Sequence, residues 1–212
     1  MHDIPVFSTE NGLASLFLKE IPYKQTAYIR LHDVAIPSKF LQECVDFCVA
    51  AGAQNVYATD HNCLKDYPVH TAVLRMSRTL VDIPQTDAAL FPVQSKTFAT
   101  WRKIYNERMS GVSGAATITA FDEKKILSDG GAYFVHRGDL LLGIGKVSEG
   151  QIDAIAAEEH GAGEAVLLAL CSALGEDSVT LEVAQNNMPA IRLYRRLGFV
   201  TTGEVCRWYK VL

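Results

Sequence analysis

The chain has 212 residues, 49% of them hydrophobic and 21% charged, which is the composition of a globular protein able to bury a sizeable core. A net charge of −4 gives no basic footprint for nucleic acid, and no window approaches the eighteen or so apolar residues of a membrane span. The opening Met1-His2-Asp3-Ile4-Pro5 lacks the basic-then-apolar pattern of a signal peptide, and five cysteines without framework spacing suit a reducing compartment. A cytoplasmic location is therefore expected, with no membrane and no nucleic-acid partner.

Residues 1–18 read as a leader with a short helix, followed by a strand over Ala27–Leu31. Ser38 is the expected N-cap of a helix whose apolar positions (Phe40, Leu41, Cys44, Val45, Phe47 and Cys48) recur at helical spacing, with Gly52 placed to end it. Strands are predicted at Asn55–Thr59 and Thr71–Leu80. Pro84, Thr86 and Asp87 then mark a break, which divides the chain into residues 1–87 and 88–212. Beyond it come a short strand near Leu90–Val93, a helix Phe98–Met109 capped by Ser95 or Thr97, and a helix Thr119–Leu127 closed by Asp129-Gly130-Gly131. Ala132–Val135 and Leu140–Val147 flank the hairpin signal Arg137-Gly138-Asp139. Then follow strand Gln151–Ala157, helix Glu164–Leu174, strand Val179–Ala184, helix Pro189–Leu197 and a last strand Phe199–Val211. The outline strand, helix, Ala-Gly, strand over Tyr28–Asp60 echoes Asp153–Gln185, without the glycines that open the second helix. A degenerate half-copy that cannot hold the second half's ligand and a chance recurrence of a common outline are both compatible with that echo.

Four features of the last eighty residues belong together. They are a glycine turn, His160-Gly161-Ala162-Gly163-Glu164-Ala165, opening a helix; a strand ending in Asn187; Leu193-Tyr194 in the next helix; and Gly198-Phe199 closing it. This order resembles the GCN5-related N-acetyltransferases. The resemblance covers residues 131–212 and implies a mixed α/β sheet with helices on both faces; the strand-helix-strand outline before the break adds a smaller N-terminal α/β subdomain. It implies acetyl-coenzyme A as donor, a primary amine as acceptor, and no metal.

Coenzyme A carries a pyrophosphate, and a helix N-terminus offers unpaired N–H donors and a positive dipole end for it. The family pattern puts Gln or Arg at the first anchor; here it is His160, and Glu164 adds an acid beside the phosphates. The resemblance assigns the pantetheine arm to the strand residues Ile155, Ala156 and Ala157, a further arm contact to Asn187, and protonation of the leaving thiolate to Tyr194. It places the general base on the strand before the turn, where Gln151 cannot accept a proton and Asp153 is the candidate. A neutral amine is scarce at pH 7, by about 4.6 kcal/mol for a lysine-like group, so a base or a water chain is worthwhile.

Competing readings attach to the same residues. Gly161 and Gly163 with Glu182 could open a dinucleotide site, although Val166 stands where the third glycine belongs. Asp153 could be a solvated strand acid, Tyr194 a core tyrosine, and Arg192, Arg195 and Arg196 a solvated helix face. Asp60, His61, Cys63 and Asp66 match no closed zinc spacing. A coenzyme A-binding module without turnover, serving regulation or assembly, is the second functional reading. The free edge of the last strand is a candidate for homodimer pairing.

Overall fold

The computed structural model describes residues 2–174 and 177–212. In chain order the first elements are β1 (Ile4–Thr9), β2 (Gly12–Phe17), α1 (Ile21–Lys24), β3 (Thr26–Val34), α2 (Pro37–Ala50), β4 (Asn55–Thr59) and β5 (Val69–Thr79). Next come β6 (Ala89–Pro92), α3 (Ser95–Met109), α4 (Glu123–Asp129), β7 (Ala132–Arg137), β8 (Leu140–Ser148) and β9 (Gln151–Ala157). The chain ends with α5 (Gly163–Ser172), β10 (Ser178–Ala184), α6 (Met188–Arg196) and β11 (Val200–Lys210). They form two compact units, Met1–Val73 with Glu204–Leu212, and Leu74–Gly203.

In the first unit the strand order is β1-β2-β3-β4 and then the end of β11, with β3 and β4 parallel. α2 packs its apolar stripe (Phe40, Leu41, Cys44, Val45 and Cys48) on Leu16, Ile29, Leu31 and Val56 of the sheet. Two expectations fail here. Residues 1–18 form a hairpin, not a leader with a helix: the chain reverses in the two-residue turn Glu10-Asn11 between the paired Thr9 and Gly12, and β2 then buries Ala14 and Leu16 on alternate positions. Ser38 is not the cap of α2: Pro37 takes the first turn, where its missing N–H costs nothing, and Ile36 is the N-cap.

In the second unit the order is β5-β10-β9-β8-β7-β6, antiparallel from β6 to β9, with β9 and β10 parallel. One apolar cluster gathers α5 and α6 with Ile152, Val179, Leu181 and Phe199. A second holds Phe98, Trp101 and Ile104 of α3 and Ile126 of α4 against Ala132, Ile144 and Ala156. Helices thus cover both faces. α5 approaches β8 closely because Gly143 and Gly145 have no side chains: a Cβ at Gly145 would fall 2.3 Å from Leu170 Cδ1. The predicted helix Thr119–Leu127 is a 3-10 turn, Ala120–Asp122 capped by Thr119, leading into α4.

Apart from the one-turn α1 between β2 and β3, the same connectivity occurs in each unit: three antiparallel strands, a helix, then a strand parallel to the third. It is β1-β2-β3-α2-β4 in one and β7-β8-β9-α5-β10 in the other.

Candidate active site

The site is built around β9, whose pairing changes along its length. Against β8, Lys146 pairs with Ala154 and Val147 with Ile152, so Asp153 is an extra residue, a β-bulge. The bulge moves the side-chain alternation by one, which is why Ile152 and Ile155 both join the α5–α6 cluster while Ala156 faces the α3–α4 cluster. Against β10, β9 pairs only at Gln151–Thr180 and Ile152–Leu181. From Asp153 to Ala157 the edge of β9 turned toward β10 therefore has no ladder partner among the described residues, and a slot opens between parallel strands. The corresponding strands of the first unit do not part: β4 pairs with β3 over its whole length, from Asn55–Thr26 to Thr59–Arg30.

At the far end of β9 the amides of Glu158 and Glu159 both donate to the Leu142 carbonyl, and Arg108 of α3 holds Glu158 through its carboxylate (2.9 Å) and its carbonyl (2.9 Å). The chain then turns through Gly161, whose φ of 81° suits glycine and whose Cβ position faces open space. Ala162 is the N-cap of α5, so Gly163, Glu164 and Ala165 form the first turn, whose amides have no intrahelical acceptor. Glu164 does not stand alone beside them, because Arg196 of α6 reaches it at 2.9 Å. His160 is exposed at the start of the turn.

Asn187 is the N-cap of α6 and accepts from the Ala190 amide at 3.3 Å. The neighbouring Asn186 amide group donates to Ser113 Oγ at 3.0 Å, tying this cap to the loop after α3. Arg78 donates to the Leu197 carbonyl at the other end of α6, where a cation suits the helix dipole. Tyr194 is 5% exposed in the same cluster as Ile152 and Ile155, its ring 5.9 Å from that of Phe199. Burial pushes its phenol up to about 12. Among the described residues no protein group hydrogen-bonds its hydroxyl, and that oxygen is not one of the fully buried unpartnered atoms, so it keeps contact with solvent.

Ile155 and Tyr194 thus share one apolar cluster with Ala162 and Ala165 at the start of α5, and Leu193, beside Tyr194, borders the Cβ position of Gly163. Asp153 is placed differently. One carboxylate oxygen meets Lys146 Nζ at 2.5 Å and the other accepts from Ser148 Oγ at 2.9 Å. The reading of the sequence missed Lys146, Ser148 and the Glu164–Arg196 pair. Lys146 and Ser148 reach Asp153 only because of the bulge, and Arg196 reaches Glu164 only through the packing of α6 on α5, so neither had a local signal. Among the described residues no group of three His, Cys, Asp or Glu side chains is arranged to hold a metal ion. No helix among them is long and apolar enough to cross a membrane.

No protein-family model matches the chain, and no curated protein matches it. Solved structures do. A GCN5-related N-acetyltransferase from Sphaerobacter thermophilus is 13% identical, with 93% of this chain and 76% of that one aligned at a TM-score of 0.56. One from Kribbella flavida is 12% identical over 97% and 89% of the two chains, at 0.58. A functionally unknown conserved protein from Staphylococcus epidermidis is 12% identical over 96% and 91%, at 0.62. Identities this low speak for the fold alone. The chain has the fold of the GCN5-related N-acetyltransferases.

Proposed function

We propose that residues 88–212 form an N-acetyltransferase that moves an acetyl group from acetyl-coenzyme A to a primary amine. The observation that carries this reading is the unpaired edge of β9 between Asp153 and Ala157, which leads straight to the first-turn amides of α5. An extended pantetheine arm carries amides able to pair with that edge. A pyrophosphate suits the amides of Gly163, Glu164 and Ala165, and the open space over Gly161 admits its approach. Arg196, held beside this turn by Glu164, supplies the cation that His160 does not. Acetyl-coenzyme A supplies the acetyl group as a thioester. In the transfer a C–N bond forms, the C–S bond breaks, and the amine's proton leaves.

The chain's own residues divide the remaining work. Ile155, Ala156 and Ala157 orient the arm, and Asn187 fixes the start of α6 beside it. Tyr194 faces a leaving thiolate whose thiol ionises near 8.5. A phenol at about 12 lies about 3.5 pH units higher, so full proton transfer to that thiolate is uphill by ~5 kcal/mol. Tyr194 therefore acts by donating a hydrogen bond to the sulfur as charge gathers there. Because both oxygens of Asp153 are engaged, accepting a proton there means breaking a contact with Lys146 or Ser148, and water is the more direct route. Residues 1–87 fit a degenerate half-copy: the repeated connectivity is present, but β3 and β4 leave no slot.

Thiol release from acetyl-coenzyme A in the presence of a panel of primary amines tests the reading. Turnover that falls about 10–100-fold in Tyr194→Phe is the expected result. Saturable coenzyme A binding with no turnover on any amine would instead favour a binding module of the same fold.

A further inference from the structure

A cleft of about 340 Å³ lies wholly within the first unit, at the carboxyl end of β4, and no part of the acetyltransferase reading uses it. Its floor is the turn Asp60-His61-Asn62, and its other wall is Glu204, Cys206 and Arg207 of the last strand. The carboxyl end of a parallel strand is where open α/β sheets take their ligands. Asp60 begins the turn at a φ of 71°, in the left-handed region that an aspartate tolerates better than most residues. The volume is at the lower end of the range for small-molecule sites.

The hydrogen-bonding groups around the cleft are unevenly used. Asp60 Oδ2 lies 3.0 Å from Arg30 Nε, an ion pair angled off the hydrogen-bond line, and Oδ1 accepts from the Thr59 hydroxyl at 3.1 Å. Glu204 is held on both oxygens by Arg207, at 3.0 Å through Nε and 2.6 Å through Nη2. His61 Nδ1 accepts from the Cys63 amide at 3.1 Å, which assigns the proton of the neutral ring to Nε2. Every carboxylate oxygen of the lining and the one ring acceptor are thus engaged. The donors are not. Lys65 has no ion-pair or side-chain hydrogen-bond partner among the described residues, His61 keeps its Nε2–H, and Arg207 keeps Nη1.

We infer that this cleft is a binding site for a small oxyanion, a carboxylate or a phosphate, gripped by Lys65, His61 Nε2–H and the outer nitrogen of Arg207. A ligand that brings acceptors completes the set. A cation would find the two acids already matched by Arg30 and Arg207, with Lys65 repelling it.

The test is a titration of the full-length protein with inorganic phosphate and, separately, acetate, read from the His61 ring protons by NMR. His61→Gln assigns the signal, and sodium chloride at matched ionic strength is the control. The expected result is a saturable shift of His61 by at least one of the two anions, not reproduced by chloride and weakened about tenfold in Lys65→Ala. A shift that grows without saturation to tens of millimolar, that chloride reproduces, or that Lys65→Ala leaves unchanged would overturn the inference. This result is independent of coenzyme A binding, so either reading can fail alone.

Discussion

Replacing Tyr194 with phenylalanine removes one oxygen and leaves the ring against Phe199 in place. The tyrosine is 5% exposed, and burial raises its phenol from about 10 to about 12. The unfolded chain therefore releases this proton first. Between pH 10 and pH 12 the unfolded state binds fewer protons than the native state, so stability falls as pH rises through that window and is unaffected below it. The loss attributable to Tyr194 is about 1 kcal/mol at pH 11 and approaches ~3 kcal/mol above pH 12. Burial also raises Cys44, Cys48 and Cys171, but those thiols titrate alike in both proteins and cancel in the comparison. The assay is urea unfolding of both proteins at pH 9 and pH 11. The native protein should lose about 1 kcal/mol more than Tyr194→Phe over that interval. At pH 7 the two should agree within about 1 kcal/mol, because no protein group among the described residues loses a hydrogen bond with the hydroxyl. Equal losses would refute the placement of the phenol in a desolvated pocket, and with it the argument that Tyr194 stays a neutral donor.

Three further outcomes follow from the same geometry. A Cβ at Gly143 would fall 2.3 Å from the Ala156 carbonyl oxygen, which cannot turn aside, whereas the atoms crowding Gly145 belong to the Leu170 side chain. Gly143→Ala should therefore cost about 3 kcal/mol, roughly 6–12 °C in Tm, and more than Gly145→Ala; the reverse order in thermal denaturation would contradict the packing described. Lys146 and Asp153 are 19% and 26% exposed, between a surface pair and a buried one, so Asp153→Asn should lower stability by about 1–2 kcal/mol in urea unfolding. No measurable change there would mean the pair does not hold the bulge. Cys44, Cys48 and Cys171 are buried with thiols pushed up to between about 11 and about 12, whereas Cys63 and Cys206 are half-buried. Mass spectrometry after brief alkylation of the native protein should find label on Cys63 and Cys206 first, and early modification of Cys171 would contradict the packing of α5.

Much of the second half was legible because its signals are local. Gln151–Ala157 ends at a glycine turn, Asn187 and Pro189 together announce the start of α6, and Gly198 closes it with a φ of 82°. The first eighteen residues misled for a physical reason. The buried face of β2 is made by Ala14 and Leu16, while Val6 and Leu13 lie on the more exposed side, so apolar residues fall on both faces and blur the alternation that marks a strand. Asn11-Gly12, one residue beyond the turn at Glu10-Asn11, was the nearest hairpin signal. The bulge at Asp153 had no signal, since neither glycine nor proline marks it and it exists only in the register of β9 against β8. What Asp153 touches was therefore hidden as well, and a residue chosen as a free base stands between a lysine and a serine. The open β9–β10 slot and the closed β3–β4 pair were equally out of reach, because both depend on how far two strands run together.

Whether the start of α5 holds a pyrophosphate is decided by calorimetric titration with acetyl-coenzyme A, run beside Gly163→Asp and Gly163→Ala. Both variants bring a Cβ within 3.1 Å of Leu193 Cδ2, a flexible neighbour, and only the first adds a negative charge at the first turn of α5. Saturable binding that survives in Gly163→Ala and is lost in Gly163→Asp is the result the pyrophosphate site predicts. No heat of binding to the intact protein at near-millimolar acetyl-coenzyme A would contradict it.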